Sequence, residues 1–139
     1  MKKILIAEDD FFIRDIYSKI FTLSEYDVIT AVDGADALEK LQNQAFDIVL
    51  LDIMMPKMTG LDVLKALRQQ LPPPAKDTPV FLITNLGQDE VIEEAFKMGM
   101  DGYIIKSQVN PQQVVDEINT FFKSKASPPA SVTALEYLD

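Results

Sequence analysis

Short runs of apolar residues alternate along this chain with longer segments in which apolar residues recur every three or four positions. The short runs are typical of buried strands, and the longer segments are typical of helices with one buried face. Four runs predict strands at Lys3–Ala7, Asp47–Leu51, Pro79–Ile83 and Tyr103–Ile105, and the alternation of apolar and polar residues over Tyr26–Thr30 predicts another. The run at 47–51 is the most apolar, which predicts a central strand.

Five helices are predicted between and after these strands from the spacing of their apolar residues. The first is marked by Phe11, Ile13, Ile16, Tyr17, Ile20 and Phe21, the second by Ala35, Leu38 and Leu41, the third by Leu61, Leu64, Leu67 and Leu71, the fourth by Ile92, Ala95 and Phe96, and the fifth by Val114, Val115, Ile118, Phe121 and Phe122. Pro72 ends the third helix and Gly99 closes the fourth.

Strand and helix in regular alternation predict an α/β fold, a doubly wound five-stranded parallel sheet with helices on both faces. We expect the flavodoxin-like strand order 2-1-3-4-5, which is one of the common orders of such sheets. One domain is predicted over residues 1–123. Residues 124–139 are richer in Ser, Ala and Pro, and they are interpreted as a tail.

The charge and the missing residue types restrict the chemistry. The net charge of −9 argues against direct binding of nucleic acid or of an anionic membrane surface. The chain contains no Cys and no His, so thiol catalysis, the usual zinc sites and a phosphohistidine donor are excluded. Carboxylates, hydroxyls and lysines remain, and the metal that suits them is a hard cation such as Mg²⁺ or Mn²⁺.

No apolar run reaches the length of a membrane span, and the apolar stretch near the N-terminus is too short for a signal peptide. We therefore expect a cytoplasmic protein.

Polar residues follow four of the predicted strands at the edge where ligands bind in doubly wound sheets. Strand one leads into Glu8, Asp9 and Asp10, strand three into Asp52, strand four into Thr84 and Asn85, and strand five into Lys106. Carboxylates that face each other disfavour ionisation unless a cation neutralises them. Asp52 can act as a carboxylate nucleophile towards phosphorus, while Lys106 and Thr84 can bind phosphoryl oxygens.

Each of these residues also has a structural interpretation. Asp10 is expected to cap the first helix, and Glu8 or Asp9 alone is more often a cap or a solvated acid. An isolated Asp after a strand commonly forms a turn. Tyr103 alone is more often a packed aromatic residue than a moving one. The coincidence of all these residues at one edge favours a functional site.

These residues resemble the receiver domains of two-component response regulators, over about residues 2–123. The matching segments are ILIAEDD at 4–10, DIVLLDIMMPKMTG at 47–60, PVFLIT at 79–84 and GYIIK at 102–106. The segment from Asp52 to Gly60 is the most specific of them.

The resemblance implies a regulatory domain rather than an enzyme, one that assists its own phosphorylation and dephosphorylation. Asp52 is implied as the phosphorylation site, and Glu8, Asp9 and the backbone carbonyl of Met54 as further ligands of Mg²⁺ or Mn²⁺. Thr84 corresponds to the switch hydroxyl and Lys106 to the phosphate-binding lysine. Tyr103 corresponds to the switch aromatic, whose ring we expect to move inward on phosphorylation.

The implied phosphoryl donor is a sensor histidine kinase or a histidine phosphotransfer protein. A downstream protein is expected to bind the face of helix four, strand five and helix five. Two positions depart from the family pattern. Ser107 replaces the usual proline after the lysine, so we expect a trans peptide there. Asn85 replaces a small residue, and we expect its amide to modulate the lifetime of the phosphoryl group by covering it. The alternatives are that it orients the attacking water or that it only caps the turn before helix four.

Two other functional classes remain as alternatives. A degenerate receiver would act as an interaction module without taking phosphate. An enzyme on a related fold is disfavoured, because the chain lacks the phosphate loop of flavodoxins and the G-x-G-x-x-G motif of dinucleotide enzymes. It also lacks the D-x-D sequence after strand one that is usual in phosphatases with an Asp nucleophile.

Overall fold

The structure is a computed structural model that describes residues 1–85 and 89–125. The strands are β1 (Lys3–Ala7), β2 (Asp27–Ala31), β3 (Ile48–Asp52), β4 (Val80–Thr84) and β5 (Gly102–Ile105). The helices are α1 (Phe11–Leu23), α2 (Gly34–Asn43), α3 (Gly60–Gln70), α4 (Asp89–Lys97) and α5 (Pro111–Lys125). The last helix therefore extends two residues into the predicted tail, and the rest of that tail lies outside the described residues.

All five strands pair in parallel, in the order β2-β1-β3-β4-β5. This confirms the predicted strand order and places β3 at the centre. Strands β2, β3 and β4 each lie one residue further along than their predicted positions. Asp52 and Thr84 remain within the sheet for this reason, opposite Ile83 and Ile105.

Successive strand residues point to opposite faces of the sheet, and each face carries its own apolar core. Helices α2, α3 and α4 cover one face, where Leu5, Leu51 and Leu82 lie. Helices α1 and α5 cover the other face, around Ile6 and Phe81. Every residue of β3 is buried. The end of this strand, where Asp52 stands, is therefore fixed from both sides.

Local signals set the ends of the helices. The Asp10 side chain accepts hydrogen bonds from the backbone N–H groups of Phe12 and Ile13, which confirms its predicted capping role. Helix α3 ends at Gln70, one residue earlier than predicted, since Leu71 precedes proline and adopts an extended conformation. Gly99 takes a left-handed φ of 92° after α4, as its predicted closing role requires.

The cis peptide bond of the described residues is Pro73–Pro74. The Lys106–Ser107 peptide is therefore trans, as predicted. None of the described helices is both long and apolar enough to cross a bilayer.

Candidate functional site

Three carboxylates converge where β1 and β3 end. Glu8, Asp9 and Asp52 each offer an oxygen atom within 4.8 Å of the others. Glu8 and Asp52 are buried, whereas Asp9 is exposed to solvent. Carboxylate oxygens in such a group are the ligands that Mg²⁺ and Mn²⁺ prefer, so the residues present fit a divalent cation.

Lys106 lies between the two buried acids. Its ammonium group is 2.6 Å from Asp52 Oδ2 and 2.9 Å from Glu8 Oε1. Burial lowers the pKa of this ammonium, but its contacts with Asp52 and Glu8 outweigh burial and raise the pKa above its ordinary value. Lys106 therefore carries its positive charge throughout the neutral range.

Glu8 is the most perturbed acid of the group. Burial raises the pKa of its carboxyl to about 7, and hydrogen bonding with Asp52 adds to this effect, while Lys106 opposes it. The Arg14 guanidinium donates a hydrogen bond to the Glu8 carbonyl oxygen at 2.8 Å, which fixes the backbone between β1 and α1. Sequence analysis did not identify Arg14. Its only sequence signal is its position one helical turn after Asp10.

The loop from β3 to α3 begins directly after Asp52, the candidate phosphoacceptor. The Met54 N–H donates a hydrogen bond to Asp52 Oδ1 at 3.0 Å, which orients the carboxylate. The Met54 side chain is exposed. The predicted role of the Met54 carbonyl as a metal ligand stays a prediction.

Thr84 is buried at the end of β4, and its hydroxyl donates a hydrogen bond to the Asn85 carbonyl oxygen at 2.9 Å. Asn85 is exposed. The register of β3 and β4 places Thr84 one position beyond Ile83, the partner of Asp52, so Thr84 and Asp52 belong to the same edge. The predicted roles of Thr84 as a switch and of Asn85 as a cover stay predictions.

Tyr103 is buried in the core on the α4 side of the sheet. Its ring packs edge-on against Phe96 of α4, with centroids 6.3 Å apart. The predicted role of Tyr103 as the switch aromatic stays a prediction.

The structure thus brings the carboxylates of Glu8, Asp9 and Asp52 together and places the Lys106 ammonium against two of them. Met54 and Thr84 lie in the adjoining segments after β3 and at the end of β4. The common feature of all these residues is a position at or just beyond the carboxyl end of a strand, where a parallel sheet places its ligands. A carboxylate held beside a half-buried ammonium and two further acids is suited to attack an anionic phosphoryl group, because cations screen the repulsion between the two.

The comparisons with known proteins agree with this geometry. The profile of the "Response regulator receiver domain" matches residues 4–119. The chemotaxis protein CheY of Thermotoga maritima is 34% identical over 123 residues, which are 88% of this chain and 98% of that protein. The structure of the chemotaxis response regulator CheY4 of Vibrio cholerae superposes with a TM-score of 0.78 at 33% identity, covering 86% of this chain and 98% of that one.

Longer proteins are also similar. The CpxR homolog of Haemophilus influenzae, a transcriptional regulatory protein, is 32% identical over 138 residues, which are 99% of this chain and 58% of that protein. The chain spans about half the length of several such curated relatives. The matching profile, the nearly full-length similarity to a chemotaxis protein and the shared sheet lead to one conclusion: the chain belongs to the family of response regulator receiver domains.

Proposed function

We propose that this receiver domain is a phosphoacceptor in which Asp52 takes a phosphoryl group from a phosphohistidine. The observation that carries the proposal is the buried Asp52 carboxylate, which lies 2.6 Å from the Lys106 ammonium and next to Glu8 and Asp9. The donor is a sensor histidine kinase or a histidine phosphotransfer protein. The acceptor is a regulatory signalling domain, as receiver domains are, and not an enzyme.

The transfer exchanges one bond to phosphorus for another. An Asp52 oxygen attacks phosphorus, the new O–P bond forms as the N–P bond to imidazole breaks, and imidazole leaves with the electron pair and takes up a proton. Glu8, Asp9, Asp52 and the Met54 carbonyl would hold Mg²⁺ or Mn²⁺, which neutralises charge on the phosphoryl oxygens. Lys106 moves from the two acids to a phosphoryl oxygen, and Thr84 donates a hydrogen bond to another.

The direct test is incubation with acetyl phosphate and Mg²⁺, followed by intact-mass measurement. We expect a mass gain of one phosphoryl group in the wild type and none in Asp52→Asn. Asp47→Asn is the matched control, since Asp47 directly precedes β3 at the opposite end from Asp52. Phosphate on Asp52→Asn would contradict the assignment of the acceptor.

A degenerate receiver, which binds partners without phosphate, is the second candidate. It predicts no mass gain in the wild type with acetyl phosphate or with a phosphorylated phosphotransfer protein. The intact trio of acids and the half-buried lysine favour the phosphoacceptor, because an unused cluster of like charges destabilises the fold.

The output is proposed to pass through the face formed by α4, β5 and α5. Phosphate oxygens would draw the Thr84 hydroxyl inward and shift the population of Tyr103 further towards its buried position. Thr84→Ala should still accept phosphate but should weaken its effect on partner binding. Chemical-shift changes on phosphorylation that stay within residues 1–50 would contradict this route.

A cytoplasmic location fits this partnership with kinases. The acidic domain itself is not expected to bind nucleic acid or membranes. Some relatives that are named transcriptional regulatory proteins are longer than this chain, and DNA binding in a longer chain would require a fused domain.

A further inference from the structure

The first residue of α2 touches the loop that connects β3 to α3. A Cβ atom at Gly34 would lie 2.2 Å from the Met58 carbonyl oxygen and 2.6 Å from the Met58 Cβ. These distances are far below van der Waals contact, so only a residue without a side chain permits this approach. The contact involves the backbone of Met58, which cannot turn aside as a flexible side chain can.

The loop touched by Gly34 is continuous with the phosphoacceptor. At its start, the Met54 N–H holds Asp52 Oδ1. At its end, the Gly60 N–H donates to the Ile53 carbonyl oxygen at 3.0 Å, which closes the loop on itself. Its tip is Lys57, which adopts a left-handed φ of 69°. A closed loop of this kind transmits a displacement of its tip to the hydrogen bond on Asp52.

An ion pair accompanies the steric contact. Lys57 Nζ lies 3.3 Å from Asp33 Oδ2, but the Lys57 side chain is 70% exposed. Exposed pairs of this kind contribute little, since solvent screens them and ordering the long side chain costs entropy. The close approach of Gly34 and the left-handed backbone of Lys57 are therefore the stronger restraints on the loop.

We propose that the start of α2 positions the phosphoacceptor, with Gly34 and the backbone of Lys57 as positioning residues. They hold the loop 53–59 against the sheet and thereby fix both the Asp52 carboxylate and the backbone of Met54. This inference rests on the proposed function, because it assigns the loop to the metal and phosphoryl site. Displacing reacting groups by about 1 Å can cost on the order of a hundredfold in rate even when the mutation is distant.

Gly34→Ala tests the contact, with Gly102→Ala as the matched control. A Cβ at Gly102 would lie 2.7 Å from the Phe81 ring, so this variant strains the core and leaves the loop untouched. Both variants should lower the melting temperature. Only Gly34→Ala should weaken Mn²⁺ binding, measured from the electron paramagnetic resonance of free Mn²⁺, by about tenfold or more. Phosphorylation by acetyl phosphate should slow in parallel.

Lys57→Val and Glu25→Val form a second pair, which remains informative if Gly34→Ala does not fold. Both positions have a φ of 69°, which a β-branched residue tolerates poorly, but Glu25 lies between α1 and β2 at the opposite edge of the sheet. Lys57→Val should weaken Mn²⁺ binding, and Glu25→Val should not. Lys57→Asn removes the charge but tolerates the left-handed backbone, so it should change the affinity by less than about threefold.

The controls separate the possible failures. If the wild type binds Mn²⁺ and takes phosphate while Gly34→Ala and Lys57→Val match their controls, the positioning role is wrong and the proposed function stands. If the wild type does neither, the proposed function fails and the positioning role fails with it. An equal loss of affinity in Lys57→Asn and Lys57→Val would show that the ion pair, and not the backbone, holds the loop, which would also overturn the proposal.

Discussion

Lys106 is a single cation in contact with two buried acids. Its ammonium lies within 3 Å of both Glu8 and Asp52, so each acid would face an uncompensated like charge without it. Partner loss at buried ion pairs is costly because the remaining charge has no solvent to stabilise it. This lysine therefore has two tasks, one in the unphosphorylated domain and one at the phosphoryl group. Substitutions of Lys106 would mix these effects, so other side chains give clearer tests.

Asn85 is such a side chain, because it is exposed and follows the buried Thr84. If its amide covers the phosphoryl oxygens, Asn85→Ala should lose phosphate several-fold faster, since water then reaches phosphorus more easily. If the amide orients the attacking water, the loss should be slower. If Asn85 only caps the turn before α4, the rate should stay the same and only stability should change.

The measurement is the decay of the phosphorylated mass after the phosphodonor is removed, in wild type and Asn85→Ala. Asn43→Ala, at the last residue of α2, controls for the loss of an amide elsewhere. Slower decay in Asn85→Ala would contradict the covering role that we favour.

One residue of α3 holds this helix against two connections, the one that leads to β4 and the one between α4 and β5. Arg68 donates hydrogen bonds to the carbonyl oxygens of Lys76, Thr78 and Gly99, and it pairs with Asp101 at 3.2 Å. Its side chain is largely buried, and burial lowers the pKa of the guanidinium, although Asp101 opposes that effect. The planar fork of arginine matches several acceptors at once, which the single ammonium of lysine cannot do.

Arg68→Lys should therefore destabilise the fold despite keeping the charge, by about 2–3 kcal/mol in the free energy of unfolding. Urea denaturation measures this difference. Arg14→Lys is the matched control, because the hydrogen bonds that Arg14 makes to described residues stay within the β1–α1 connection. A decrease in the unfolding free energy below about 0.5 kcal/mol, typical of surface substitutions, would contradict the proposal that the Arg68 guanidinium holds these segments together.

Helix α2 begins with a capping acid whose ionisation stabilises the fold. The hydrogen bond from the Asp36 N–H, above all, lowers the pKa of the Asp33 carboxyl, and Lys57 lowers it further. An acid with a lowered pKa stabilises the folded state above its unfolded value of about 4, and this contribution disappears as the pH falls through the folded value.

The difference in unfolding free energy between wild type and Asp33→Asn should thus be constant above about pH 5 and should shrink below about pH 4. Asparagine keeps the capping geometry and cannot ionise, so it isolates the charge. Urea denaturation at several pH values measures the difference. A difference that grows on acidification would have the wrong sign for a lowered pKa.

The sequence was sufficient to predict the sheet, because four strands are short apolar runs, the second shows alternation, and each helix has its own spacing of apolar residues. It also located the acids and Lys106, since parallel strands bring their carboxyl ends to one edge. The predicted ends of β3 and β4 were one residue too early. Asp52 and Thr84 are polar, which suggests a loop, but both pair within the sheet. Arg68 was missed, since an arginine on an amphipathic helix usually faces solvent. Nor could spacing predict that Tyr103 packs against Phe96.

The molecule as a whole combines a net charge of −9 over its 139 residues with a buried pair of acids, so a divalent cation should stabilise it. A ligand that binds only the folded state at a hundred times its dissociation constant adds about 2.7 kcal/mol. We expect saturating Mg²⁺ to raise the melting temperature relative to chelator in wild type and in Asp10→Asn. Asp9→Asn should lose this increase and the ability to be phosphorylated, while its exposed position leaves the metal-free fold intact.

Scanning calorimetry with Mg²⁺ and with chelator measures these differences. Equal melting temperatures in the wild type would argue against the metal site. Phosphorylation of Asp9→Asn at the normal rate would argue against the role of the acid pair.

The absence of cysteine has a practical consequence for experiments on this domain. One engineered thiol would be the sole attachment point for a fluorescent dye, so a label needs no prior removal of native thiols. Glu93 is exposed on α4, on the proposed output face, and a dye there would report partner docking as a change in emission. Gln44 is exposed after α2, at the opposite edge of the sheet from Asp52, and a dye there would serve as a silent reference. Two single-thiol variants, each labelled in its own preparation, would thus separate partner docking on phosphorylation from unspecific changes in emission.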